Sequence, residues 1–193
     1  MKDKMKANVK EKIKHKSSEK LSNFLESNEL HKKDFSEMIG VTLSYVYNLI
    51  DNAIPFSTRG TTLERISTVM EVEPEEFEEY RIPQEPILVD ESVDILKSAL
   101  KKKNMSVVNF LKGFPRKKRI DVVDVLRGAL PMPLDYKELN MIGKIAGLEN
   151  SKIYSIWETR LRQVMESAGM NIYSNSELVN SMLHCAKRHL EIE

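Results

Sequence analysis

Apolar residues along this chain recur at steps of three and four, and runs that alternate apolar with polar residues are nearly absent. That spacing lays one apolar stripe along each of a series of helices and predicts an all-α chain. Leu21, Phe24 and Leu25 form the first stripe, and Phe35, Met38 and Ile39 the second. Val46, Leu49 and Ile50 form the third, and Leu63, Ile66, Met70 and Val72 the fourth. Thr61-Thr-Leu-Glu64 predicts a capping box at the start of the fourth helix, each side chain satisfying a free backbone amide. Pro83 and Pro86 forbid a continuing helix, which bounds a first unit at 18–81 and a linker at 82–90.

The break between the second and third stripes is chemically specific. Gly40 can take a positive φ without penalty and close a helix within one turn. Val41 can plug the corner, and Thr42 can cap the next helix through its hydroxyl. Val46 and Leu49 then pin that helix by its aliphatic side. Its opposite face and its N-terminal end are left to project into solvent.

A second unit at 91–148 repeats the plan in degenerate form. Ile95, Leu96, Ala99 and Leu100 predict an opening helix, and Ser106 a cap for the next. Val122, Val125 and Leu126 stand where Val46, Leu49 and Ile50 stand in the first unit. Gly128 marks the following turn, and a last helix lies within 134–148, with Asp135 and Glu138 as its capping box. Residues 149–193 predict two more helices. One carries Ile153, Ile156, Trp157, Leu161, Val164 and Met165. The other carries Leu178, Met182 and Cys185 behind a box at Ser174-Asn-Ser-Glu177.

Composition sharpens this picture. Of 193 residues, 41% are hydrophobic and 31% charged, enough for real cores beneath a well-solvated surface. The net charge of +1 hides an asymmetry. Residues 1–20 hold eight Lys against three acids, and 1–17 is expected to be a basic arm. Residues 71–91 hold nine acids against one Arg. A basic knot, Lys112-Gly-Phe-Pro-Arg-Lys-Lys-Arg119, lies beyond. Local potential rather than net charge steers a polyanion, so a near-neutral total leaves nucleic acid open as a partner. The alternative is that these runs are only solvated faces. The acidic pairs Glu75-Glu76 and Glu78-Glu79 are expected at a solvated helix start, where negative charge is favourable.

His31-Lys-Lys-Asp-Phe-Ser-Glu-Met-Ile-Gly-Val-Thr-Leu-Ser-Tyr-Val-Tyr-Asn-Leu-Ile-Asp-Asn52, with Pro55 and the stripe from Leu63 to Val72, resembles the phage-repressor (Cro-like, XRE) helix-turn-helix family. The resemblance covers about a third of the chain. It implies tandem lambda-repressor-like helix-turn-helix bundles with a C-terminal helical element. It also implies sequence-specific binding of double-stranded DNA, with the helix at 42–50 in the major groove. Leu43, Ser44, Tyr47 and Asn48 would then read the bases, with Tyr45 nearby and the cap Thr42 also in the DNA-contacting set, and Lys32 and Lys33 would meet phosphate. Ser57, Thr58 and Arg59 would clamp the backbone. The helix departs from the usual pattern in having no Arg or Lys. Arg116, Lys117, Lys118 and Arg119 would supply the missing phosphate contacts from the second unit. The resulting expectation is a repressor-type transcriptional regulator. The alternative is the same surface, through Leu43, Tyr45 and Tyr47, docking another protein.

Proteins of this kind commonly pair two reading helices, so a homodimer through 149–193 is expected. The single Cys185 excludes an internal disulfide and suits the cytoplasm. No stretch has the roughly 20 apolar residues of a membrane span, and the basic N-terminus lacks the apolar run of a secretory signal. There is no glycine-rich phosphate loop, Cys-x-x-Cys pair or nucleophile elbow, so neither an enzyme nor a cofactor is expected. His184, Cys185 and His189 lack a fourth ligand for zinc, and a helix end with Cys185 buried is the simpler reading.

Overall fold

A computed structural model describes residues 16–56, 60–80 and 91–189. These residues are all-helical: ten α-helices, one 3-10 turn and no strand among the described residues. The chain divides near residue 85 into two compact units.

The first unit holds α1 (Lys16–Ser27), α2 (Lys32–Ile39), α3 (Leu43–Ile50) and α4 (Gly60–Met70), followed by a 3-10 turn at Pro74–Glu76. Leu21, Phe35, Met38, Ile39, Val46, Leu49, Leu63 and Ile66 are all fully buried, one stripe from each helix. α3 packs on α1 and α2, and α4 on α2. The Phe24 and Phe35 rings lie 6.3 Å apart, and the buried Ser18 hydroxyl donates to the Leu49 carbonyl at 2.7 Å. That bond ties the start of α1 to the end of α3, adding a second donor to a carbonyl that already accepts the Asn52 amide at 3.2 Å.

Several boundaries differ from the sequence expectation. α4 begins at Gly60, so Thr61 lies inside its first turn and is not its cap. The basic arm was placed at 1–17, but Lys16 and Ser17 belong to α1, and Ser17 is buried. The rest of the arm, the linker at 82–90, and Ser57, Thr58 and Arg59 lie outside the described residues.

The acidic run does open a short helix, with Glu75 and Glu76 exposed in the first turn of the 3-10 helix. What the sequence did not show is that three of its carboxylates also meet α1. Lys20 donates to Glu76 at 3.0 Å, Ser17 donates to Glu79 at 2.6 Å, and Lys16 lies 3.8 Å from Glu78. The Lys20 ammonium holds the Glu76 carboxyl below the usual glutamate range. Beneath this seam the buried Phe56 and Phe77 rings sit 5.7 Å apart.

The second unit holds α5 (Glu91–Lys102), α6 (Val107–Lys112), α7 (Arg116–Leu126), α8 (Tyr136–Ala146), α9 (Asn150–Ser167) and α10 (Ser176–His189). Val93, Leu96, Leu100, Val108, Phe110, Leu111, Val123, Leu139 and Ile142 form its core, while Ile95 stays exposed. α9 packs along α8. Trp157 is buried, its indole N–H donates to the Leu134 carbonyl at 3.0 Å, and Arg160 Nε donates to the Met132 carbonyl at 3.2 Å. α9 is therefore part of this unit's core and not a free appendage.

The two expected capping boxes of the second unit do not form. Asp135 caps α8 by accepting the Lys137 amide at 2.8 Å, but Glu138 turns away to Lys118. α10 begins at Ser176, one residue beyond the start at 175 predicted from a Ser174 cap. Its buried residues are Val179 and Leu183, and the predicted stripe of Leu178, Met182 and Cys185 is exposed.

Candidate nucleic-acid interface

The corner between α2 and α3 is built by two residues with opposite jobs. Gly40 sits at φ 72 and ψ 37, the left-handed region that a side chain disfavours, and ends α2. Thr42 is extended, and its Oγ1 accepts the Tyr45 amide at 3.2 Å, which opens α3. Ser36 fits in the buried angle between the helices because its hydroxyl donates back to the Lys33 carbonyl at 2.7 Å.

α3 is then split lengthwise. Val46 and Leu49 are 0% exposed, whereas Leu43 is 38% and Tyr47 45% exposed. Ser44 and Asn48 are exposed beside them, as is Thr42 at the helix start. The structure so brings five of the predicted contact residues onto one outward face. Tyr45 departs from that set: it is half-buried and its hydroxyl is buried. Lys33 is exposed at the first turn of α2, and Lys32 Nζ lies 4.7 Å from the centroid of the Tyr47 ring.

A cleft of about 660 Å³ runs beside this face. Leu43, Tyr47 and Ile50 form one wall, Leu25, Glu26 and Glu29 another, with Lys32 and Lys33 at its edge.

The corresponding corner of the second unit is made differently. Gly113 has φ −68, so no left-handed turn is present. Glycine is needed there for space: a Cβ would come within 2.8 Å of Ile145 Cγ2. Phe114 fills the corner, buried against Phe110 with ring centroids 5.0 Å apart. α7 is also embedded. Val122, Val123, Asp124, Val125 and Leu126 are all buried, and Asp124 forms a buried ion pair with Arg127 at 2.8 Å. A helix covered on every side over its second half cannot lie along a groove, so any contact must come from its first turns.

The basic knot divides there. Arg116 and Lys117 are exposed. Lys118 pairs with Glu138 at 2.8 Å, and the carboxylate raises its pKa above the ordinary lysine value. Arg119 Nε donates to the Phe114 carbonyl at 3.2 Å and braces the turn. Sequence spacing could not separate these four, because Glu138 lies 20 residues away and was read as a cap.

No protein-family model matches this chain, and neither does any curated protein or solved structure. Among the described residues no helix is long and apolar enough to cross a membrane, and no group of three His, Cys, Asp or Glu could hold a metal ion.

Proposed function

We propose that this chain is a sequence-specific double-stranded DNA-binding regulator of the phage- or plasmid-repressor type, reading the major groove with α3. The observation that carries this is the lengthwise split of α3: Val46 and Leu49 fully buried, Ser44 and Asn48 facing out beside an open, Thr42-capped N-terminus. A helix held by one side and exposed along the other is the shape that enters a groove some 12 Å wide. Asn48 can make the paired bond to an adenine edge, Ser44 can bond several bases, and Leu43 can touch a thymine methyl. Lys32 and Lys33 stand where phosphate would pass. In the second unit Arg116 and Lys117 are exposed at the start of α7 and can add phosphate contacts. The exposed thiol of Cys185 fits a protein that works in the reducing cytoplasm.

Selection of bound sites from a random duplex pool tests this. One recovered motif, lost on Asn48→Ala while weak binding to any duplex remains, is the expected result. No enrichment over several rounds would sink the proposal.

A second reading has its own support. α3 has no Lys or Arg, its most exposed large residues are Leu43 and Tyr47, and Glu26 and Glu29 line the adjoining cleft. Acids near a duplex repel it, so this face would suit an amphipathic helix from another protein. In that case Leu43→Glu abolishes partner binding and Asn48→Ala changes nothing.

A further inference from the structure

α10 has two apolar faces, and the described residues cover only one. The helix runs antiparallel to α9: Arg162 donates to Asn180 Oδ1 at 3.1 Å near its start, and Lys187 Nζ lies 5.2 Å from the Tyr154 ring near its end. Val179 and Leu183 are buried. Leu178, Met182 and Cys185 lie about a third of a turn further round, at roughly 100° per residue. Leu178 is 55% and Met182 42% exposed, and Cys185 is exposed.

The charges beside this stripe complement one another. Glu177 is in the first turn of α10 and Arg188 near its end, both exposed. Eleven residues apart, they fall within about 20° of each other around the axis, on the same flank of the stripe. A twofold axis between two copies sets the start of one helix against the end of the other, and like flank against like flank. Glu177 then meets Arg188 of the other copy at both ends. A parallel pair would set unlike flanks together and leave Glu177 and Arg188 unable to reach each other.

We propose that the outer face of α10 is an interface with a second copy of this chain, an antiparallel helix pair closed by Leu178, Met182 and Cys185 and fixed in direction by reciprocal Glu177–Arg188 pairs. Leu178 of one copy lies opposite Cys185 of the other, and the two Met182 side chains meet near the axis. One helix pair is smaller than the standard interface of about 1,600 Å², so the dimer is weak and fills at high concentration. The proposal stands independently of the DNA reading.

Sedimentation equilibrium of the full chain is expected to show a doubling of mass as concentration rises toward the millimolar range. Leu178→Glu with Met182→Glu should leave a monomer with unchanged helical circular dichroism. Glu177→Arg or Arg188→Glu alone should weaken association several-fold, and the two together should restore it. Met182→Cys in a Cys185→Ser background should oxidise to a covalent dimer. Cys185 in the natural chain should not, because seven residues of rise hold the two thiols about 10 Å apart along the axis, beyond disulfide reach. A monomer throughout the concentration range, a dimer indifferent to the Leu178 and Met182 changes, or a failed charge swap would each overturn the proposal.

Discussion

Lys32 Nζ lies 4.7 Å from the centre of the Tyr47 ring, so the first turn of α2 is tied to the outward face of α3. An exposed ammonium over an aromatic face gains about 0.5–1 kcal/mol. The contact holds a positive charge beside the face that carries Ser44 and Asn48. If both residues act on duplex through this shared arrangement, Lys32→Ala and Tyr47→Ala will each weaken binding, and the double variant will cost less than their sum. Fluorescence anisotropy with one labelled site measures this. Strict additivity would show the contact to be incidental.

The basic knot should separate by function. Arg116→Ala with Lys117→Ala is expected to lower the slope of log affinity against log salt by up to about 2. Lys118→Ala should instead lower the melting temperature, because it leaves Glu138 without its 2.8 Å partner. An unchanged salt slope would remove Arg116 and Lys117 from the interface, and an unchanged melting temperature for Lys118→Ala would show its ion pair to be dispensable.

Stability of the first unit should depend on the corner. Gly40→Ala forces a side chain into φ 72 and is expected to cost about 1 kcal/mol. Leu49→Ala removes a fully buried side chain and should cost about 2–5 kcal/mol. Urea unfolding reads both, and DNA binding by whatever fraction remains folded should persist.

The seam between α1 and the 3-10 turn gives a pH dependence with a defined sign. Lys20 lowers the Glu76 pKa below its ordinary 4.5. A lowered carboxyl pKa contributes stability that is present above the ordinary value and is lost as pH falls through the folded one. Lys20→Met should therefore flatten the acid limb of the melting-temperature profile. An acid limb of unchanged steepness would place its origin elsewhere.

Trp157 anchors α9 to the second unit through its buried ring and its bond to the Leu134 carbonyl. Trp157→Phe should cost on the order of 1 kcal/mol for the lost bond, and Trp157→Ala about 3–5 kcal/mol. Thermal unfolding followed by circular dichroism distinguishes the two. Equal losses would mean that the hydrogen bond, not the ring, holds the helix.

The local features were legible because each depends on residues a turn apart. Gly40, Thr42, Ser106 and Asp135 close or open helices within four residues of themselves, and all four do so here. The stripe of α3 was legible for the same reason. α10 was misread because Leu178 and Val179 are equally apolar neighbours, and periodicity alone cannot say which side another helix will cover. Glu138 was misread because a cap and a distant ion pair ask for the same carboxylate.

The sequence alone determined that the chain is helical, where α2 ends and α3, α6 and α8 begin, and that α3 has one aliphatic and one polar side. Those follow from spacing, from caps, and from a glycine free to take a positive φ. Only the tertiary structure decided which cations remain exposed, that the acidic run closes onto α1, that α7 is buried through its second half, and that α9 belongs to a core. These outcomes depend on contacts between residues far apart in the chain, whose meeting is set by how the helices pack and not by any local preference.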